Sequence, residues 1–229
     1  MRILDCKQGS PEWLESRLGI PTASNFDKVL TPKTRTPSAS IPKYVAKLTA
    51  EWFLGVPLDE AESGFMQRGT DMESKAVRYY EFERNVDVQP VGLCLRDDGR
   101  VGASPDGLVG DEGGLEIKCL SAEKHMGILL GHDTDDYLCQ VQGGLYVTGR
   151  KWWDLLAYHP VFPSLIVRFE RDEEFMAAFG PALAGLLARL DEAKARFKDE
   201  KETYDSIRAA GHTAGVSADF YDFIGQEAA

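Results

Sequence analysis

The feature that most constrains the fold is a run of short strand-like segments in the middle of the chain. Five stretches rich in apolar and β-branched residues follow one another, separated by Asp-Gly or Gly-Gly turns: residues 86–88, 92–96, 101–103, 107–109 and 114–119. Helix-like patterns stand on both sides of this run, in residues 44–54, 64–83, 122–130, 137–147 and 172–198. Two further strand-like segments occupy residues 151–158 and 165–169. We therefore predict an α/β fold in which a central mixed β-sheet is flanked by helices.

The N-terminal part of the chain carries helix-start and loop signals. Ser10, Pro11 and Glu12 supply a cap residue, a proline at the first helical position and an acid in the first turn, which predicts a short helix. Residues 21–24 lead into a second predicted helix that ends near Leu30. Residues 31–42 are rich in proline, serine and threonine, and this composition indicates an exposed loop.

Length and composition predict one domain. The chain has 229 residues, of which 43% are hydrophobic, enough for one substantial core. We expect a single domain over residues 1–229, with a motif-bearing core over residues 10–170 and a helical extension over residues 171–229. No apolar run approaches the ~20 residues that a membrane-spanning helix needs, so we expect no membrane partner. The absence of a signal-peptide pattern and of any Cys-x-x-Cys pair predicts a cytoplasmic protein with neither a disulfide framework nor a zinc site.

Charge is unevenly distributed along the chain. The formal net charge is −11, whereas proteins that bind DNA through its phosphates are normally basic. Residues 28–47 nevertheless contain five basic residues and no acidic one, and residues 170–229 contain 13 acidic and 7 basic residues. The basic segment could form a DNA-facing edge, or the asymmetry could belong to an ordinary solvated surface. Because a bound cation reverses the local field of an acidic cluster, charge alone leaves a nucleic-acid substrate open.

The most informative motif consists of residues 104–107 (SPDG) and residues 115–119 (LEIKC). In a strand the side chains alternate, so the three apolar residues of the second piece point to one face and Glu116 and Lys118 point to the other. Asp106 stands ten residues before Glu116, with Gly-rich residues between them. This is the spacing of a hairpin that brings the two carboxylates side by side.

Such a set of side chains suits metal-assisted phosphodiester hydrolysis. Mg²⁺ prefers oxygen ligands and commonly takes one or two carboxylates, here Asp106 and Glu116, with the backbone carbonyl of Ile117 as a further candidate. The ion can activate water and neutralise charge on a phosphate, and Lys118 could orient the water or stabilise the developing charge. The alternative is a surface hairpin whose charged side chains are simply solvated, since short patterns of this kind also occur by chance.

Five segments of the sequence together carry a family resemblance. They are residues 13–24 (WLESRLGIPTAS), 68–73 (RGTDME), 102–107 (GASPDG), 115–119 (LEIKC) and 137–142 (YLCQVQ). In type and order they resemble the bacteriophage lambda exonuclease group and the YqaJ-like viral recombinases, which belong to the restriction-endonuclease-like nuclease superfamily. Joint occurrence of five motifs in order is far less expected by chance than any one of them.

The resemblance implies a role for particular residues. Glu73, Asp106 and Glu116 would be the acidic metal ligands for two Mg²⁺ ions, with Mn²⁺ as an alternative, and Lys118 would be the catalytic lysine. The resemblance also implies a pocket for a terminal 5′-phosphate, formed by Arg17, Ser24, Ser104 and Gln140. Met66 would be an apolar wedge that parts the terminal base pairs. The DNA backbone would be contacted by Lys33, Arg35 and Lys43.

The function implied by the resemblance is that of a 5′-to-3′ exonuclease acting on linear double-stranded DNA in a bacterial host cell, encoded by a phage or prophage. It would degrade one strand from a 5′-phosphorylated end and leave a 3′ overhang for recombination. The family further implies a homotrimeric ring and a single-strand annealing protein as partner. Two alternatives stay open at this point: a structure-specific or restriction-type endonuclease with the same metal core, and a DNA-binding module that does not cut.

Overall fold

The computed structural model describes residues 1–58, 63–131 and 134–209, and for residues 63–71 it describes the backbone alone. The described α-helices are α1 (Pro11–Arg17), α2 (Ile41–Leu54), α3 (Ser63–Arg84), α4 (Ala122–Leu129), α5 (Leu138–Thr148), α6 (Glu173–Arg196) and α7 (Lys198–Ala209). Two short 3₁₀-helices cover Ala23–Lys28 and Asp135–Tyr137. The described strands are β1 (Arg2–Leu4), β2 (Leu30–Thr31), β3 (Thr36–Pro37), β4 (Val88–Gln89), β5 (Leu93–Leu95), β6 (Gly102–Ala103), β7 (Gly107–Val109), β8 (Gly113–Cys119), β9 (Trp152–Tyr158) and β10 (Leu165–Glu170).

The main sheet has five strands in the order β10-β9-β8-β7-β4. Strands β7 and β8 form an antiparallel hairpin, and β8 pairs with β9 in parallel. The parallel pair needs a crossover connection, which α4 and α5 supply. The predicted central mixed sheet flanked by helices is therefore confirmed.

Two apolar cores lie on opposite faces of this sheet. On one face, α3 packs through Ala76 and Tyr80 against Leu115 and Ile117 of β8. The larger core lies on the other face and joins α2, α5 and α6 to the sheet, with Trp153 among its fully buried side chains. The alternation predicted for β8 is present, because its apolar side chains face α3 while Glu116 and Lys118 face α5.

Strand β8 begins with two glycines because two tryptophan rings cross it. An added Cβ at Gly113 would lie 2.1 Å from the ring of Trp152, and one at Gly114 would lie 2.3 Å from the ring of Trp153. The register places these residues opposite each other, Gly113 beside Trp152 and Gly114 beside Trp153. The two adjacent tryptophans therefore pack against the sheet.

Residues 31–42 differ from the predicted exposed loop. Leu30–Thr31 and Thr36–Pro37 pair as a short hairpin, and α2 begins at Ile41 rather than at Tyr44. The turn of the hairpin accommodates Arg35 at a φ of 52°. Pro42 does not prevent the earlier helix start, because the first turn of a helix has no internal partner for the missing N–H.

One other helix prediction needs correction: the predicted helix after residues 21–24 is a 3₁₀-helix over Ala23–Lys28, in which Asn25 departs from helical geometry. The long helix predicted from residue 172 to about residue 198 is present as α6, and α7 follows it after Phe197 as a helix that the sequence did not predict. Residues 210–229 lie outside the described residues. None of the described helices is both long enough and apolar enough to cross a membrane.

Candidate active site

The β7–β8 hairpin brings the two predicted carboxylates together. Gly107 pairs with Leu115, so Asp106, immediately before β7, lies opposite Glu116. The backbone N–H of Asp106 donates to the carbonyl of Leu115 at 3.1 Å. In turn, the backbone N–H of Ile117 donates to Asp106 Oδ2 at 2.5 Å, which fixes the carboxylate against the strand. Asp106 and Glu116 line the same cleft.

Glu116, Lys118 and Gln140 form a closed set of hydrogen bonds. Lys118 Nζ donates to Glu116 Oε1 at 2.9 Å and to Gln140 Oε1 at 2.9 Å. Gln140 Nε2 donates to the same Glu116 oxygen at 2.6 Å. Gln140 lies on α5, so the crossover helix carries the amide that joins the acid and the lysine. Glu116 is only 6% exposed, and its buried charge is thereby provided with partners.

The electrostatics of the site are dominated by burial. Desolvation raises the pKa of Asp106 well above its ordinary value, and the neighbouring Glu116 carboxylate adds to this rise. Desolvation also raises the pKa of Glu116, although Lys118 and Gln140 oppose the shift. Burial alone would lower the pKa of Lys118, but the carboxylates of Glu116 and Asp106 raise it, so the side chain remains an ammonium ion. Desolvation therefore disfavours the charged form of both carboxyl groups, although Lys118 and Gln140 partly compensate it at Glu116.

Glu73 reaches the site from the opposite face of the sheet. It lies on α3 and lines a second cleft of about 770 Å³, together with Asp106 and Ile117. Partial desolvation raises the pKa of Glu73, while Lys118 counteracts the shift. Within residues 1–58, 63–131 and 134–209, no three His, Cys, Asp or Glu side chains lie close enough together to hold one metal ion. Asp106 and Glu116 are paired across the hairpin, and the charge of Glu73 raises the pKa of both carboxyl groups.

The residues expected to bind a terminal phosphate line a cleft of about 270 Å³. All four of these residues line its walls: Arg17, Ser24, Ser104 and Gln140. Asp106 and Glu116 line the same cleft. Two remote segments meet there because Thr22 forms a parallel bridge with Gly102 and the Gly102 N–H donates to the carbonyl of Pro21. This bridge sets the end of the N-terminal motif beside the strand that leads to Ser104.

Trp13 and Thr22 are the residues that sequence reasoning missed. Trp13 Nε1 donates to Ser104 Oγ at 3.0 Å, and the guanidinium carbon of Arg17 lies 3.9 Å from the centroid of the Trp13 ring. Thr22 Oγ1 accepts from Arg17 Nη2 at 3.4 Å and lies 3.4 Å from Ser24 Oγ. Both residues belong to the N-terminal motif of residues 13–24, and this could have indicated that they contribute to the site.

The side chains expected on the DNA backbone are placed differently from one another. Arg35 forms ion pairs with Asp172 at 2.6 Å and Glu174 at 2.5 Å, so its guanidinium is engaged with the start of α6. Lys33 lies 3.8 Å from Asp135, and Lys43 is exposed on α2. Met66 belongs to α3, but its side chain lies outside the described residues.

Comparison with known proteins identifies the family. Residues 12–151 match the model of the YqaJ-like viral recombinase domain, which is more than half of the chain. The chain belongs to the YqaJ-like viral recombinase family. The family resemblance carried by the five sequence segments is thereby confirmed, while the individual residue roles stay predictions. A search of curated proteins returned no match.

Solved structures of exonucleases share the fold of this YqaJ-family chain. The alkaline exonuclease LHK-Exo from Laribacter hongkongensis is 33% identical, with a TM-score of 0.73 over 85% of this chain and 100% of that one. The structure of LHK-Exo in complex with dAMP gives a TM-score of 0.72 at the same identity and coverage. A phage-related exonuclease from Haemophilus somnus 129PT is 12% identical, with a TM-score of 0.61 over 78% of this chain and 96% of that one, and shows the fold alone. Family and fold together support a nuclease function.

Proposed function

We propose that this protein is a Mg²⁺-dependent exonuclease that degrades one strand of linear double-stranded DNA from a 5′-phosphorylated end, in the 5′-to-3′ direction. One observation carries the proposal: the carboxylates of Asp106 and Glu116 share a cleft with the four side chains expected to bind a terminal phosphate. A terminal phosphate held there would bring the next phosphodiester to the acidic pair. Membership of the YqaJ family and the likeness to an alkaline exonuclease support the same activity.

The donor set of the site fits Mg²⁺. Asp106 and Glu116 offer carboxylate oxygens, and desolvation raises the pKa of both carboxyl groups, so a bound cation would favour their charged forms. We propose that these two carboxylates, the backbone carbonyl of Ile117 and Glu73 hold the metal, with two ions as the family resemblance implies. When bound, the metal would activate water and neutralise charge on the scissile phosphate. Because no three acidic side chains of the described residues lie close enough to hold one ion directly, Glu73 would contribute through the water molecules that Mg²⁺ commonly retains.

In this proposal Lys118 acts as a charged donor rather than as a base. The neighbouring carboxylates raise the pKa of Lys118, which favours its ammonium form, and Nζ is held by hydrogen bonds to Glu116 and Gln140, both of which line the cleft. An ammonium group at this position would stabilise the negative charge that develops on the scissile phosphate. Gln140 Nε2 has two hydrogens, and donation of one to Glu116 leaves the second for a substrate phosphate oxygen.

Arg17 and the two serines would supply the specificity for a 5′-phosphate. Arginine presents a planar fork of donors that matches phosphate oxygens, and hydroxyl groups add further hydrogen bonds. A 5′-hydroxyl end would leave these donors without an acceptor, so it would be cleaved more slowly. This pocket favours the exonuclease over the restriction-type endonuclease, because an endonuclease has no need to recognise a strand terminus.

The decisive assay uses a linear duplex with a 5′-phosphate on one strand only. We expect selective loss of the phosphorylated strand in Mg²⁺ and no loss in a chelator. A covalently closed circle of the same sequence is the control, and we expect it to stay intact. Digestion of the circle would favour the endonuclease, and equal loss of both strands would contradict the proposed end recognition.

We also propose, from the family resemblance, that three copies form a ring around the duplex and that a single-strand annealing protein takes up the exposed 3′ strand. Light scattering should then give three times the chain mass of 25.4 kDa. A monomer at all concentrations would contradict the ring. For the partner, we expect co-purification with an annealing protein expressed alongside, and its absence from the complex would contradict this part of the proposal.

A further inference from the structure

Trp13 contacts two of the side chains proposed to bind the terminal phosphate. Its indole Nε1 donates to Ser104 Oγ at 3.0 Å and to the carbonyl of Gly92 at 3.2 Å. The face of the same ring carries the guanidinium of Arg17, whose Cζ lies 3.9 Å from the centroid. Trp13 and Arg17 both belong to α1, where side chains four positions apart lie on one face. Trp13 therefore links α1 to the segment that precedes β7.

The hydrogen bond from Trp13 determines what Ser104 can do. A hydroxyl group has one hydrogen and two lone pairs, and indole Nε1 can only donate. Because Ser104 Oγ accepts from Trp13, one lone pair is occupied and the hydroxyl hydrogen remains available for another acceptor. In a cleft that also contains Arg17, that acceptor would be an anionic oxygen. Trp13 thus favours the orientation in which Ser104 donates.

The stacking of Arg17 on Trp13 limits the positions that its guanidinium can take. A free arginine side chain loses considerable rotamer entropy when it binds an anion. Stacking on the ring and the hydrogen bond to Thr22 Oγ1 already restrict the Arg17 side chain in the absence of ligand. Binding of an anion therefore costs less additional rotamer entropy. The planar fork is then presented from a defined direction.

We infer that Trp13 is a positioning residue for recognition of the terminal phosphate, acting through Ser104 and Arg17. The inference rests on the proposed function, because it takes the cleft of about 270 Å³ as the phosphate site. Trp13 itself is not assigned a contact with the reacting atoms. Its effect should therefore appear in the discrimination between 5′-phosphate and 5′-hydroxyl ends.

The test compares single-turnover cleavage of two duplexes that differ only in a 5′-phosphate or a 5′-hydroxyl. Trp13→Phe keeps an aromatic ring under Arg17 but removes the donor to Ser104. We expect the ratio of the two rates to fall about tenfold, the size expected when one hydrogen bond to a charged group is weakened. The matched control is Trp152→Phe, because Arg168 lies 3.7 Å over the ring of Trp152, outside the cleft. The control should keep the wild-type ratio.

A double-mutant cycle separates positioning from a general loss of structure. If Trp13 acts through Ser104, Trp13→Phe should reduce the ratio less in a Ser104→Ala background than in the wild type. An equal reduction in both backgrounds would overturn the inference. So would equal slowing on both duplexes, since a merely structural defect does not distinguish the two ends.

Folding is checked before the rates are measured. Each variant is assayed at a temperature at which circular dichroism shows it folded. Should Trp13→Phe not fold, Trp13→Leu replaces it, since leucine supplies neither a donor to Ser104 nor a ring under Arg17, and a wild-type ratio for that variant would overturn the inference. If the wild type prefers phosphorylated ends and the Trp13 variant keeps that preference, the positioning role of Trp13 is contradicted but the proposed phosphate pocket is not. A wild-type enzyme without any preference contradicts both the proposed phosphate pocket and the inference.

Discussion

The two faces of strand β8 are buried to a similar extent but affect the free energy of unfolding in opposite directions. Leu115 is 0% exposed and Ile117 6% exposed beneath α3, where burial removes apolar surface from water. Glu116, also 6% exposed, lies on the other face beside Asp106, where burial raises the pKa of both carboxyl groups. Burial by itself therefore does not indicate stability. The face that carries the candidate chemistry costs stability, and the apolar face offsets that cost.

The largest effect should come from removing the charge of Asp106 on the cleft face. Asp106→Asn keeps the size of the side chain and an oxygen to accept from Ile117 N–H, but weakens metal binding. We expect cleavage to slow on the order of 10³-fold, because several kcal/mol of charge stabilisation are lost. DNA binding should be largely retained, as measured by a gel-shift titration.

The matched control for this variant is Asp111→Asn, the same change at an exposed position in the turn of the same hairpin. It should cleave at the wild-type rate. Cleavage by Asp106→Asn at the wild-type rate would show that Asp106 is not a required metal ligand. It would also contradict the assignment of the chemistry to this face of β8.

A smaller effect should follow from truncating the apolar face. Leu115→Ala removes a fully buried side chain between β8 and α3, and we expect the free energy of unfolding to fall by about 3 kcal/mol. Chemical denaturation measures the change. Leu130, which is 72% exposed, provides the comparison, and Leu130→Ala should change stability by less than about 0.5 kcal/mol. Similar losses at both positions would show that the face beneath α3 is not the stabilising one.

The smallest effect should be a pH-dependent difference in unfolding temperature between the metal-free wild type and metal-free Asp106→Asn. The pKa of Asp106 is raised in the folded state above its ordinary value of 3.8, so the folded chain binds a proton that the unfolded chain has released. Stability is therefore present below the unfolded pKa and lost as pH rises through the folded pKa. In a chelator, Asp106→Asn should unfold a few degrees above the wild type at neutral pH, and the two should converge in acid.

Thermal unfolding followed by circular dichroism measures this difference. Added Mg²⁺ should raise the unfolding temperature of the wild type more than that of Asp106→Asn, because only the wild type has the full ligand set. A metal-free Asp106→Asn variant that unfolds below the wild type at every pH would show that the Asp106 carboxylate stabilises the fold, contrary to the direction of its pKa shift.

Local patterns were sufficient for the hairpin at the centre of the site. The alternation of Leu115, Glu116, Ile117 and Lys118 predicts which side chains share a face, and the observed strand has that arrangement. The ten-residue separation of Asp106 and Glu116 predicts the pairing, because a hairpin closes over a short stretch of chain. The caps of α1 and α2, Ser10 and Gly55, follow from the same kind of local rule.

Local patterns failed where the outcome depends on contacts between distant segments. Composition predicted a loop at residues 31–42, yet the pairing of Leu30 with Pro37 makes a hairpin there. Helical periodicity over residues 172–198 predicted α6, but it did not predict α7, which begins directly after Phe197. The contact of Phe53 in α2 with Tyr204 in α7, at 5.5 Å between ring centroids, is invisible to a local pattern.

The sequence by itself determined the order of elements, the face of β8 that carries the charges and the family, because these depend on side-chain period, turn residues and motif order. Only the tertiary structure decided that Gln140 binds both Glu116 and Lys118, that Trp13 donates to Ser104 and that Glu73 shares a cleft with Asp106. These facts depend on packing between segments far apart in the chain, and on desolvation, which no single residue determines.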